Sequence, residues 1–227
     1  MIHIDFADAL AEYQRYFPDS PFLETWIPST KFLQAEVDGL GSISISREDD
    51  GIYGVALGPN PTIPDDWKSF SIESRSIHLV PDSFAQIDEW DCYWAPTIKG
   101  EIDQSEGVSD SEIDAFLKAN APRSSVSPGD KEIVQWIQIL DKTRLVAVAA
   151  LCRWESGKVV ISSVATDAQL RGQGLGRELM HRTLIAGNQI GEEVLCLGVG
   201  HQNERAQRLY ASSGFTKMHN FTYFERR

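Results

Sequence analysis

The chain has 227 residues, 42% hydrophobic and 24% charged, which is ordinary for a soluble globular protein and long enough for one large domain or two small ones. No apolar run approaches the roughly 20 residues needed to span a bilayer, and Met1-Ile2-His3-Ile4-Asp5 has neither the basic nor the apolar segment of a signal peptide, so a cytoplasmic protein with no membrane partner is expected. The net charge of -12 is uneven: residues 1–105 hold 6 Lys+Arg against 19 Asp+Glu, and residues 106–227 hold 15 against 14. An acidic half argues against general nucleic-acid binding, which needs positive surface to displace counterions. It is either a solvated face or a surface suited to a cationic substrate. Cys92, Cys152 and Cys196 lie far apart, without the spacing of a metal knuckle or redox motif, so no metal is expected.

The first predicted element is a helix over residues 5–17, with Phe6, Ala9, Leu10, Tyr13, Tyr16 and Phe17 at helical spacing. It ends at the turn signal Pro18-Asp19-Ser20-Pro21. Residues 42–46 alternate polar and apolar, 51–57 form a second extended run, and Glu48-Asp49-Asp50-Gly51 reads as the hairpin loop between them. A long loop follows, rich in proline from Pro59 to Pro64; residues 76–80 and 90–94 then read as strands. The polar stretch 97–110 reads as a linker, dividing an acidic N-terminal α/β region (1–105) from a C-terminal domain (106–227).

Ser109 or Asp110 can cap a helix running to Asn120, with Ile113, Phe116 and Leu117 on one face. A short helix-to-strand segment covers 131–140. Residues 144–154 and 159–166 make an antiparallel hairpin about Glu155-Ser156-Gly157-Lys158. A glycine-rich turn leads into a helix over 174–186, followed by a buried strand over 194–199, a helix over 203–212 stopped by Gly214, and an extended aromatic C-terminus. The fold class is therefore α/β, a mixed α+β layer structure. Phe221, Tyr223 and Phe224 would either complete the sheet or meet a partner, so homo-oligomerisation stays open.

Arg171-Gly172-Gln173-Gly174-Leu175-Gly176-Arg177 joins a strand to a helix. Glycines let successive amides converge, and a helix N-terminus adds unsatisfied donors and the positive end of a dipole. Together these make an anion site suited to a diphosphate, which Arg171 and Arg177 can reinforce. A P-loop requires Gly-Lys-Ser/Thr, whereas Arg177-Glu178 follow Gly176. The dinucleotide fingerprint requires G-x-G-x-x-G and a later acidic residue, whereas the glycines here are 172, 174 and 176 and the next strand reads Cys196-Leu197-Gly198. A second motif, Asn203-Glu204-Arg205-Ala206-Gln207-Arg208-Leu209-Tyr210 before Gly214-Phe215, places Ala206, Leu209 and Tyr210 on one helix face.

Arg171-x-x-Gly174-x-Gly176 resembles the pyrophosphate loop of the GNAT superfamily of N-acetyltransferases, and the stretch from Asn203 to Phe215 resembles its later motif. The likeness covers about residues 106–227, and Glu89-Trp90-Asp91-Cys92-Tyr93-Trp94 looks like actinobacterial two-part members that carry an extra N-terminal half. The resemblance implies a GNAT-like acyl-coenzyme A fold, acetyl-coenzyme A as cosubstrate, and a small-molecule or peptide amine as acceptor. It implies coenzyme contacts from Val164, Ala165 and Thr166 on a strand that parts from its neighbour, from Arg171, Gly172, Gln173, Gly174, Leu175, Gly176 and Arg177 in the loop, and from Asn203 and Ala206. It implies Tyr210 as the acid that protonates the departing thiolate.

The resemblance leaves the base open. Some members carry a Glu five positions before the motif Asn, and that position here is Gly198. His201, Glu155, Ser162 and Ser163 are the nearby alternatives, and none stands out from the sequence. The missing Glu keeps a second reading in play, a non-catalytic acyl-coenzyme A sensor. Residues 1–105 hold no second Arg-x-x-Gly-x-Gly loop. If that half is a degenerate copy of the fold it has lost coenzyme binding, and Asp65, Asp66, Glu89 and Asp91 would lend its acidity to the acceptor side.

Overall fold

A computed structural model describes residues 2–102 and 107–227. In chain order the elements are β1 (Ile2–Ile4), α1 (Phe6–Tyr16), α2 (Phe22–Trp26), β2 (Phe32–Val37), β3 (Ile43–Asp49), β4 (Gly51–Leu57), β5 (Ser69–Glu73), a 3₁₀ turn (Ser74–Leu79) and β6 (Phe84–Pro96). They continue with α3 (Asp110–Asn120), β7 (Ile133–Asp141), β8 (Arg144–Arg153), β9 (Val159–Thr166), a 3₁₀ turn (Ala168–Leu170), α4 (Leu175–Gln189), β10 (Val194–Gly200), α5 (Glu204–Ser212) and β11 (Thr216–Arg226). The mixed α/β class read from the sequence is the class observed.

The chain forms two compact units. The first comprises the residues up to Cys92 together with Gly198–Glu204 and Lys217–Arg227; the second comprises Tyr93–Leu197 and Arg205–Thr216. Compactness thus follows a different line from the compositional division at 105/106, because strands are grouped by hydrogen bonding and not by position in the chain. Residues 103–106, inside the expected linker, lie outside the described residues.

In the first unit the strand order is β1-β2-β3-β4-β5-β11-β6. Strands β2, β3 and β4 are antiparallel neighbours, whereas β5 runs parallel to β4. The C-terminal strand lies antiparallel to β5, with Phe221 opposite Glu73 and Phe224 opposite Phe70. Phe221 and Phe224 are buried there, so these C-terminal aromatics complete the chain's own sheet. Helix α1 starts at Asp5, whose carboxylate accepts the Asp8 amide at 2.9 Å, and buries Ala9 and Tyr13. The fully buried Trp67 lies over Gly54 and donates its indole N–H to Ser46 Oγ at 2.8 Å.

In the second unit the order is β6-β10-β9-β8-β7. Strand β8 is buried from Leu145 to Cys152, and a strand buried at every position has both faces covered. Helices α3 and α4 both pack against β8 and β9. Ser109 and Glu112 form the capping box expected at the start of α3, and Ile113 and Leu117 enter the core beside Leu145, Val148 and Ala165. The free cysteines are all buried, and burial pushes the Cys152 thiol up to about 11.

Both units repeat one order of elements: helix, three antiparallel strands, then a strand parallel to the third. Parallel neighbours need a crossover. In the second unit that crossover contains α4; in the first it is residues 58–68, a loop with Pro59, Pro61 and Pro64. The two units share this order of elements, and the crossover carries a helix in the second but not in the first.

The predicted strand over 76–80 is instead the 3₁₀ turn Ser74–Leu79, and the strand lies just before it as β5. Ser76 Oγ donates to the Gly58 carbonyl at 2.8 Å, the kind of side-chain bond that competes with a ladder. The helix-to-strand segment over 131–140 is strand alone, β7. Strand β6 is longer than the predicted 90–94 core.

A Cβ added at Gly54 would stand 2.2 Å from the Trp67 ring. Gly54→Ala is expected to lower unfolding free energy by about 1–3 kcal/mol or more, the cost of overpacking a fixed core. Urea unfolding followed by tryptophan fluorescence measures it.

Candidate active site

Strand β9 leads into the glycine turn through Asp167. The Asp167 carboxylate accepts the Gln169 amide at 2.8 Å and the Arg144 guanidinium at 2.8 Å, and Asn120 Oδ1 accepts the Ala168 amide at 3.0 Å. The entry to the turn is therefore tied to β8 and α3 within the second unit. Beyond it, Gly172 and Gly174 have φ of 80° and 86°, left-handed values that side chains resist. A Cβ at either would meet nothing within 4 Å, so backbone conformation and not space requires glycine at both.

Gly174 is the N-cap of α4 and brings no capping side chain. The first-turn amides of α4 are thus left without the usual side-chain acceptor, at the positive end of a 15-residue helix. Residues 171–174 and 177 are exposed, with Leu175 and Gly176 half-buried. Such a turn offers converging donors to an anion.

Gly176 has a different reason to be glycine. A Cβ there would stand 3.0 and 3.1 Å from the two methyl carbons of Leu209. The turn and α5, which carry the two motifs found separately in the sequence, therefore pack against each other in the second unit. Partial burial, and then the neighbouring Arg171 guanidinium, hold Arg205 below the ordinary guanidinium range. Arg205 thus brings a cation close to the turn, a role the sequence motif did not single out.

One turn along α5 the ring of Tyr210 is buried, 5.9 Å from that of Tyr93 and 5.8 Å from that of Phe215. Burial, and then the nearby Tyr93, push its phenol well above the ordinary value. Tyr210 therefore keeps its proton through the neutral range, the state an acid must start from. Ala206 is half-buried on the same helix.

Strand β9 carries a feature the sequence did not signal. Ser163 has φ of 51°, and the ladder with β8 shifts register between Val148 and Ala150. This is a β-bulge, which interrupts pairing and re-aims the residues after it. Ser163 Oγ donates to the Val126 carbonyl at 2.9 Å and accepts the Val126 amide at 3.2 Å. That hydroxyl is occupied in fixing the bulge and is no longer a base candidate. Val164, Ala165 and Thr166 follow directly, and the parallel ladder of β9 with β10 pairs Val160 with Cys196.

The segment 198–204 belongs to the first unit. A Cβ at Gly198 would meet the Trp90 ring at 3.5 Å, so an indole lies beside the position where a carboxylate was sought. Asn203 closes a turn by donating its amide to the Gly200 carbonyl at 2.9 Å. On the same turn, His201 Nδ1 lies 3.1 Å from Asp91 Oδ2. Asp91 is fully buried; its other oxygen accepts Lys217 Nζ at 2.6 Å and Asn220 Nδ2 at 2.7 Å. Burial alone would raise its pKa, but the hydrogen bonds from Lys217, Asn220 and His201 hold it below the usual carboxylate range. Asp91 is thus a buried structural carboxylate and not part of an acidic face, which corrects the expectation for that residue. Its signal was an aspartate inside the aromatic strand Trp90-Asp91-Cys92-Tyr93-Trp94, since a buried charge requires partners. Glu155 is exposed on the β8–β9 turn.

The acetyltransferase (GNAT) family profile matches residues 88–215. The chain belongs to the GNAT acetyltransferase family. An N-acetyltransferase of Mycobacterium tuberculosis, itself uncharacterised, is 36% identical over 72 residues, 32% of this chain and 46% of that protein; a Mycobacterium bovis protein of the same description matches equally. The chain spans about half the length of these curated relatives. Among solved structures, a GCN5-related N-acetyltransferase from Sphaerobacter thermophilus has a TM-score of 0.55 at 13% identity, covering 99% of this chain and 95% of its own. An acetyltransferase from the GNAT family of Colwellia psychrerythraea has a TM-score of 0.52 at 14% identity, covering 100% and 99%. At these identities the likeness is one of fold. Among the described residues of this GNAT chain, no group of His, Cys, Asp and Glu is placed to hold a metal, and no helix is long and apolar enough to cross a membrane.

The contact between Gly176 and Leu209 yields a coupling test. Gly176→Val should destabilise the second unit by forcing α5 away from the turn, and adding Leu209→Ala should restore part of that stability. Two neighbours that couple in this way are expected to be non-additive by about 0.5–3 kcal/mol, measured by calorimetry on a double-mutant cycle.

Proposed function

We propose that this GNAT protein transfers the acetyl group of acetyl-coenzyme A to a primary amine of a small molecule or peptide by direct attack. The observation that carries the reading is the uncapped, glycine-bent start of α4 packed through Gly176 onto Leu209, with Tyr210 buried one residue further along α5. The first-turn amides, Arg171 and Arg177 would bind the diphosphate, with Gly172, Gln173, Gly174, Leu175 and Gly176 shaping the turn. Arg205 would add a further charge-assisted contact. Val164, Ala165 and Thr166, which follow the bulge, would supply main-chain donors and acceptors to the pantetheine arm. One of their N–H groups would polarise the thioester carbonyl as negative charge grows on its oxygen. Ala206 would line the same arm.

In the reaction the neutral amine attacks the carbonyl carbon. A C–N bond forms, the C–S bond breaks, and Tyr210 hydrogen-bonds and protonates the departing sulfur. Holding both reactants in line supplies much of the rate. The proposed assignment places the coenzyme on residues 106–227, in a protein working in the cytoplasm without a metal.

Thiol release from acetyl-coenzyme A with a panel of amines tests the reading. The expected outcome is amine-dependent release together with acetylated product. Tyr210→Phe keeps the aromatic packing and should lower kcat by about 10- to 100-fold, at or below the usual general-acid contribution because a thiolate leaves readily. Arg171→Ala and Arg205→Ala should each raise KM for acetyl-coenzyme A by about 10-fold or more, the loss of one charge-assisted bond. Binding of the coenzyme without transfer to any amine would instead favour the acyl-coenzyme A sensor.

A further inference from the structure

We infer that Ser163 is a positioning residue: its hydroxyl clamps β9 to Val126 in the α3–β7 connection, and this clamp aims Val164, Ala165 and Thr166 at the thioester. The inference rests on the acetyl-transfer reading above. All of its parts lie in the second unit.

The clamp holds a conformation that the chain resists. Ser163 has φ of 51°, in the left-handed region that is mostly left to glycine, asparagine and aspartate. Strain of this kind persists only where the surroundings over-determine it, and it gathers at functional sites. Between the paired positions Ala150–Ser162 and Val148–Ala165, β8 has the one residue Ala149 while β9 has two, Ser163 and Val164. An extra residue bends its strand and re-aims the groups that follow it. In the first unit, whose crossover has no helix, the β3–β4 ladder keeps one register from Ile43–Leu57 to Asp49–Gly51. The bulge therefore accompanies the helix-bearing crossover and is not a general result of the strand order.

No glycine stands at the bulge to favour it. What stands there is a hydroxyl with two partners. Ser163 Oγ donates to the Val126 carbonyl at 2.9 Å and accepts the Val126 amide at 3.2 Å. Its single proton is thus committed, and both main-chain groups of Val126 are satisfied away from water. Val126 is the one buried residue of 122–130, so the connection meets the core at the point where the strand bends. Its flanks are closed by local bonds, from the Ser127 amide to Asp130 Oδ2 at 2.7 Å and from the Ser124 hydroxyl to the Ala121 carbonyl at 2.8 Å. Ser163 acts through the main chain: it sets the direction of the N–H that meets the growing negative charge, and it makes no contact with the substrate itself.

The experiment measures acetyl transfer to an alkylamine, calorimetric binding of coenzyme A, melting temperature and amide hydrogen exchange in wild type, Ser163→Ala and Ser163→Gly. Alanine removes the hydroxyl and keeps the backbone cost; glycine removes the hydroxyl and accepts the φ freely. Both should lower kcat by about 10- to 100-fold, the penalty for reacting groups displaced by about 1 Å. Coenzyme A affinity should be unchanged in both. Exchange at Val164, Ala165 and Thr166 should quicken while that of α4 stays as in wild type. A wild-type kcat in Ser163→Gly would mean that backbone preference, not the clamp, sets the bulge. A kcat loss matched by losses in coenzyme A affinity and melting temperature would mean general destabilisation. Either result would overturn the assignment while leaving acetyl transfer intact, as would equal exchange at Val164–Thr166 in all three proteins. A wild type that binds coenzyme yet acetylates no amine would overturn the acetyl-transfer reading and the kinetic role of Ser163 with it.

Discussion

A helix that begins without a capping side chain leaves its first amides to water or to an anion, and the second unit is built around one such start. Gly174 takes a left-handed conformation with no side chain to fold back, so the amides of α4 converge outward. The turn stays defined because its entry is pinned by Asp167, Arg144 and Asn120. Behind it, Gly176 allows Leu209 of α5 within contact. One missing side chain leaves the first amides of α4 uncapped, and another lets α5 reach the turn. Tyr210 and Arg205, on the same helix as Leu209, are thereby held in register with the turn.

The first unit answers the same backbone demand in the opposite way. Its crossover begins at Gly58, φ 89°, whose amide donates at 2.7 Å to Glu73 at the end of β5. Arg75 and His219 bond the same carboxylate, and His219 Nε2 meets Tyr13 Oη at 2.7 Å. Burial would raise Glu73, but these partners hold it below the ordinary carboxylate range. An internal carboxylate thus occupies the donor at the start of this crossover, whose Pro59, Pro61 and Pro64 disfavour helix. The acidity of residues 1–105 is accordingly not all surface: Glu73 and Asp91 are structural acceptors in buried networks.

The second unit was legible because its signals are local. The capping box at Ser109, the β8–β9 hairpin and the glycine turn are set by neighbours along the chain, and strand β9 falls on residues 159–166 as expected. In the first unit α2, β2 and β5 lack such signals. Strand β2 is bulged between Phe32 and Gln34, and β5 takes its place between β4 and the distant β11. The loop and helix positions of the candidate site could be read from glycine spacing and helical periodicity. The bulge at Ser163 could not, because its cause is a hydrogen bond to Val126, 37 residues away. Nor could the Asp91 network, whose members are separated by 110 residues or more.

That separation bears on how the first unit holds a buried charge. Asp91 is fully buried on β6, and a buried carboxylate is costly unless it is paired. Its partners come from far along the chain: Lys217 and Asn220 on β11, and His201 on the turn after β10. The Glu89 carbonyl holds the same turn through the His201 amide. Loss of any one partner would leave the others to satisfy a charge that water does not reach, so the C-terminal strand and the turn are tied to β6 by one carboxylate.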